Sequence, residues 1–243
     1  MTTHVTTRNP VRSDLEVATA NESSAPTPAP RPSRTWALAG VGAGLAGIVS
    51  IIASGMVGSV YDEDLIGDSS AIAADLADKT VPILAFHTAA LVSAVLLLVF
   101  AAGLQRRLRA RLGGEHLAPA VAFAGLVGTA VVCVLGTGLD TEFVAVTDQE
   151  FINPASAAMF NHWVGTIPWC WVLAGVAALG VYVAGRAGAV PRWIGRTSLV
   201  LGGLTVLAGI SPLQYMAGLT GPLWLLVVAI GFAAGDKAFR GES

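Results

Sequence analysis

Apolar residues fall along this chain in six long blocks, without the strict alternation of a half-buried strand or the narrow stripe of a soluble amphipathic helix. The blocks run from Trp36 to Val60, Val81 to Leu104, Leu117 to Leu139, Trp163 to Ala184, Trp193 to Leu213 and Leu219 to about Phe239. Each approaches or meets the roughly 20 apolar residues that a helix needs to cross a bilayer. The pattern predicts an all-α, polytopic membrane bundle of six transmembrane helices over residues 35–240. Asp236 and Lys237 shorten the last block, and Arg196 lies in the first turn of the fifth, from which a long side chain can snorkel to the interface.

Prolines agree with this division. Pro82, Pro119 and Pro222 are read as first-turn residues and Pro191 lies just ahead of a span, positions where the missing amide would have had no partner. Pro168 lies several residues inside the fourth block and is expected to kink it. Asn153-Pro154 resembles an N-cap followed by proline, which starts the fourth helix well before the membrane and puts Asn161 and His162 on a rigid outer extension. In the first outer loop, Asp68, Ser69 or Ser70 is expected to cap a short helix reaching Asp78, with Ile72 and Leu76 turned to the bundle or the membrane. Residues 1–34 are polar and end in SSAPTPAPRPSR. They are expected to form a disordered cytoplasmic tail, and their apolar neighbour begins too late to be a cleavable signal.

Composition fits a membrane protein: 54% of the 243 residues are hydrophobic, 12% are charged, and the mean hydropathy is +0.68, outside the range of soluble domains. The net charge of −2 conceals a segregation of sign. Of the 14 lysines and arginines, 13 fall in the tail, the second-to-third and fourth-to-fifth connections and the C-terminal end. The other connections hold only Lys79, together with ten acidic residues. These regions sort to two sides only if the spans between them are even in number, so the positive-inside rule predicts six spans with both termini in the cytoplasm of a cytoplasmic membrane. Tryptophans add a further expectation, with Trp36 and Trp193 at inner ends and Trp163, Trp169, Trp171 and Trp224 near outer ends. The excess of arginine (12) over lysine (2) points to a high-GC bacterial genome.

The lipid bilayer is the partner expected first, and no basic patch with interleaved aromatics points to nucleic acid. Gly40 and Gly44, Ala120, Ala124 and Gly128, and Gly231 and Gly235 keep the spacing of close helix contacts, within the bundle or in a homo- or hetero-oligomer. Cys133 and Cys170 lie in apolar runs, so a disulfide is not expected. The cluster QRRLRARLGG acts as a topology signal and is compatible with anionic headgroups.

Ionisable groups within a membrane segment are candidates for function. His87 lies six residues into the second span, and His162 stands at the outer end of the fourth in FNHWVGTIPWCW. Asp140, Glu142, Asn153, Asn161 and Gln214 gather on the same side. The expected site is an outward-facing polar pocket of His87, Asp140, Glu142, Asn161 and His162 beside the Pro168 kink, opening between the second, third and fourth helices. Imidazole and carboxylate there would hold a cationic or hydrogen-bonding solute. Three readings follow: a protein that binds or transports a small molecule, a metal- or haem-binding redox protein using His87 and His162, and a structural or partner-binding subunit. No P-loop, HExxH, GxSxG or CxxC occurs, so no enzyme and no cofactor is expected.

In layout the membrane part resembles uncharacterised six-span membrane proteins of high-GC bacteria, of the kind grouped as domains of unknown function. The resemblance rests on the hairpin FHTAALVSAVLLLVFAAGLQRRLRARLG and the long outer loops flanking it. It implies the six-span fold and no activity.

Overall fold

A computed structural model describes residues 34–145 and 153–234. The expected disordered tail therefore lies outside the described residues, apart from Arg34, as do Gly235 and the end of the sixth block. Among the described residues the secondary structure is entirely helical. The long helices are α1 (Thr35–Gly55), α3 (Thr80–Leu112), α4 (Leu117–Gly136), α7 (Val172–Arg186), α8 (Arg192–Gly209) and α9 (Ala217–Ala233). Shorter helices lie between them: α2 (Ser69–Ala77), α5 (Asp140–Ala145) and α6 (Pro154–Thr166).

The capping residues behave as their chemistry predicts. Asp68 accepts from the amides of Ser70 and Ala71 at 2.9 and 3.0 Å to start α2, and Asn153 accepts from Ala155 at 2.9 Å to start α6, with Pro154 in its first turn. The turns after α3 and α7 use Gly113 (φ +83°) and Gly188 (φ +76°), a conformation that side chains disfavour.

The six long helices close into a ring. Each packs on the next in chain order, and α9 returns to α1. The closing pair is antiparallel, since Gly40 lies by Ala229, Gly44 by the Leu226 backbone and Gly47 by Pro222. The start of α1 and the end of α9 are therefore at the same end of the bundle. That end also holds the arginines of α3 and of the α7–α8 turn, because Trp36 packs on Gly103 and Phe100 while Arg107 donates to the Ala189 carbonyl at 3.1 Å.

Among the described residues, five segments are long and apolar enough to cross a membrane: Thr35–Gly55, Thr80–Leu112, Leu117–Val144, Pro154–Arg186 and Gln214–Ala233. Helix α8 is not among them by composition, because Arg192 and Arg196 occupy its first two turns. It nevertheless lies antiparallel along α7, with Gly195 on Gly185, Gly202 on Ala178 and Gly209 on Val172.

Four expectations are corrected. The second helix does not end near Leu104 but carries the basic cluster onward to Leu112. Pro222 lies in the second turn of α9, because that helix begins at Ala217. Trp171 and Trp224 are fully buried inside the bundle and not on its surface; Trp171 fills the space over Gly47 and Gly221, and Trp224 donates to Ser198 Oγ at 3.0 Å. On α4, Ala120 and Ala124 are exposed, and the packing face is instead Ala118, Ala122, Gly125 and Thr129. A Cβ on Gly125 would stand 2.5 Å from the Leu173 carbonyl oxygen, and one on Gly180 would stand 3.0 Å from the Ala122 amide nitrogen, so α4 and α7 touch backbone to backbone.

Burial divides into two cores. One runs through the ring and includes Phe100, Leu104, Leu126, Trp171, Val181 and Trp224. The other lies at the end opposite the arginines and joins Val57 and Val60 after α1, Ile72 and Leu76 of α2, Ile83 and Phe86 of α3, and Phe160 and Val164 of α6. Of the two faces expected for Ile72 and Leu76, the structure shows the bundle side, and the described residues of the connections at this end form a folded cap.

Candidate functional site

The site lies where the cap meets the bundle, around the interruption of the fourth helix. Pro168 does more than kink that helix. The α-helix stops at Thr166, one 3-10 turn follows (Ile167–Trp169), and α7 begins only at Val172. A proline at 168 leaves the Val164 carbonyl without its intrahelical amide. Ser54 of α1 replaces it, donating from Oγ at 2.6 Å. Thr166, two residues before the proline, is otherwise engaged: its Oγ1 lies 3.5 Å from the Tyr215 hydroxyl, and its carbonyl accepts from Cys170 Sγ at 3.4 Å.

Asn161 is fully buried. Its Oδ1 accepts from the Val60 amide at 2.7 Å, and its Nδ2 donates to the Val57 carbonyl. Both partners lie just past the end of α1, where backbone groups lack helical partners. Asn161 is thus committed to holding α6 onto α1, and its amide is not open to a ligand.

His87 and Asp140 do come together. His87 Nδ1 lies 3.2 Å from Asp140 Oδ2, with the histidine side chain 23% exposed and the aspartate side chain 0%. Asp140 is held by the turn from α4 into α5, where its amide donates to the Thr137 carbonyl at 3.2 Å. Its second oxygen, Oδ1, is buried with no hydrogen-bond partner among the described residues. With the carboxylate ionised, Nδ1 is the donor and Nε2 is left as the accepting atom of the ring. The pair offers a proton shared between two groups and one unsatisfied acceptor that is closed to solvent.

The remaining expected members lie apart from this pair. Glu142 is exposed and, two residues from Asp140, occupies another side of α5; it lines an open groove with Leu139, Phe143, Ser156 and Met159. His162 is exposed and meets the edge of Tyr61 at 6.0 Å between ring centroids. His87 and His162 therefore engage different partners, and no three metal-ligating side chains converge among the described residues.

Tyr61 and Tyr215 are members that the sequence reading missed. With Thr166 they form a hydroxyl cluster beside the broken helix; partial burial, followed by the Tyr215 hydroxyl, raises the Tyr61 pKa and keeps it a donor. Only the interfacial preference of tyrosine could have flagged them. Ser54 was findable in principle, because a proline inside a helix demands a donor for the carbonyl four residues earlier.

No protein-family model, curated protein or solved structure matches this chain.

Proposed function

We propose that the chain crosses the cytoplasmic membrane six times with both termini inside, and that it binds or passes a small cationic or proton-bearing solute from the outer side at the His87–Asp140 pair. It acts as a binding or transport protein, not as an enzyme. The observation that carries this reading is the fully buried Asp140, with one oxygen on His87 and the other without a partner. A buried acceptor left unsatisfied costs about 1–3 kcal/mol, and intramembrane carboxylates mark ion and proton paths. A proton or a cation from the outer aqueous side, reached past the partly exposed imidazole, would satisfy Oδ1.

The six-span topology is supported by the antiparallel ring, by arginines confined among the described residues to one end, and by α8. Its 18 residues cover ~27 Å at 1.5 Å per residue, close to the roughly 30 Å hydrocarbon core. Arg192 and Arg196 would sit at headgroup level. Alkaline phosphatase fused after Gly209 should be active, and fused after Ala187 inactive; the reverse would remove the assignment of sides.

For the site, the test is thermal unfolding of the purified protein with sodium, potassium, ammonium and choline chloride across about pH 5–8. At least one cation, or the proton, should stabilise the wild type by several degrees, and Asp140→Asn should abolish the response. A wild type indifferent to all of them, or an Asp140→Asn variant that responds equally, would overturn the proposal.

A further inference from the structure

At the opposite end of the bundle, the turn from α7 to α8 builds a second feature. Arg186 in the last turn of α7, and Arg192 and Arg196 in the first two turns of α8, line one cleft with Tyr182, over Gly185 and Gly195. A Cβ on Gly185 would stand 3.0 Å from the Gly195 Cα, so the two backbones meet at the cleft floor. The opening above them, about 270 Å³, has room for several waters at ~30 Å³ each.

Charge in this cleft is one-sided. No acidic residue occurs between Tyr182 and Leu199 in the sequence. Among the described residues none of the three guanidiniums pairs with a carboxylate; the recorded polar partner is the Tyr182 hydroxyl, 3.4 Å from Arg186 Nη1. The first turn of α8 adds amides that no side chain caps, the positive end of a helix of 18 residues. Three like charges beside an uncapped helix start repel one another unless an anion joins them. The turn itself is held in place, since buried Arg107 donates to the Ala189 carbonyl and lies 4.7 Å over the Phe232 ring.

We infer that this cleft binds a phosphodiester, the headgroup of an anionic phospholipid of the inner leaflet. Guanidinium groups match phosphate oxygens in paired geometry, and basic pockets between membrane helices suit such headgroups. The apolar surface beyond the arginines favours a lipid over a free anion. Leu199, one helical turn from Arg196, is 42% exposed, its neighbour Val200 is 58% exposed, and Val183 beside Tyr182 is 45% exposed. Acyl chains would cover them while Trp193, 49% exposed, lies at the interface.

The experiment measures thermal unfolding of the full-length protein in neutral detergent, with added phosphatidylglycerol, phosphatidylcholine or inorganic phosphate. Phosphatidylglycerol should stabilise the wild type by several degrees, and phosphatidylcholine should not. The double variant Arg192→Gln/Arg196→Gln should bind phosphatidylglycerol about thirtyfold more weakly, at ~1 kcal/mol per basic residue near the headgroups. The double variant Arg106→Gln/Arg109→Gln removes the same charge from exposed positions on α3 and should bind as the wild type does. Equal weakening in both variants, or none in the first, would overturn the site. Equal stabilisation by inorganic phosphate would overturn the lipid assignment. Should the first variant not fold, Arg196→Lys keeps the charge but loses the paired geometry, and an unchanged lipid response there would overturn the site as well.

Discussion

The ring of long helices and the cap above it are held by different interactions. In the ring, backbones approach until only hydrogen fits between them, as at Gly125 against the Leu173 carbonyl and Gly44 against Leu226. In the cap, short helices share a small core and are also tied down by directed polar bonds: Ser54 to the Val164 carbonyl, and Asn161 to both Val57 and Val60. The difference follows from the elements joined. Between long apolar helices, small residues let the backbones pack closely. At the helix ends, a turn must satisfy its own amides and carbonyls.

The largest expected effect comes from filling a backbone contact. Gly125→Leu would force α4 and α7 apart and should cost upwards of ~3 kcal/mol, since neither backbone can yield locally. Ala124→Leu, one residue away on an exposed position, should leave stability within about 0.5 kcal/mol. Unfolding of the two purified variants checks this; equal stability would show that the α4–α7 seam is misplaced. Next in size is Asn161→Ala. It strands two buried backbone groups at about 1–3 kcal/mol each, but the loss should be confined to the cap. Hydrogen exchange should accelerate in α6 and at the Val60 amide while α4 and α7 keep their protection. Uniform acceleration would mean that cap and ring are one cooperative unit.

Much of the ring was legible in the sequence, because a helix in lipid is specified by composition and length. The positions of five apolar segments, the Asn153 cap and a start of α2 at Asp68, Ser69 or Ser70 follow from local rules, whereas the choice of the bundle over the membrane for Ile72 and Leu76 depends on tertiary packing. The packing faces were less legible. Ala120, Ala124 and Gly128 recur every four residues, and Ala118, Ala122, Gly125 and Thr129 recur every three or four; both are helical spacings, and in a helix that is apolar all round nothing local marks the face turned to protein. Arg107 shows the converse. Within QRRLRARLGG it reads as one topology signal among several, yet in the prolonged α3 it shares a buried face with Phe100, Leu104 and Leu108. At the candidate site, the sequence grouped His87 with Asp140, and the structure brings these two side chains together. It also grouped with them Asn161, Glu142 and His162, whose engagement elsewhere depends on tertiary bonds that spacing does not encode.

The smallest effect tests the edge of the cap. Asp75 of α2 lies 2.6 Å from Lys79, which also donates to Ser59 Oγ at 3.0 Å. The lysine, and after it the Ser59 hydroxyl, lower the Asp75 pKa below its ordinary value. A lowered carboxyl pKa stabilises the fold above the unfolded value of about 3.9, and the contribution is lost as pH falls through the still lower folded value. The Asp75 side chain is 36% exposed, so solvent screening reduces an i,i+4 pair of this kind to ~0.2–0.5 kcal/mol. The stability difference between wild type and Lys79→Met should therefore stay flat above about pH 5 and shrink below about pH 4, without vanishing, because the bond to Ser59 survives protonation of Asp75. A difference that instead varied near neutral pH would overturn the assignment of this response to the Asp75–Lys79 pair.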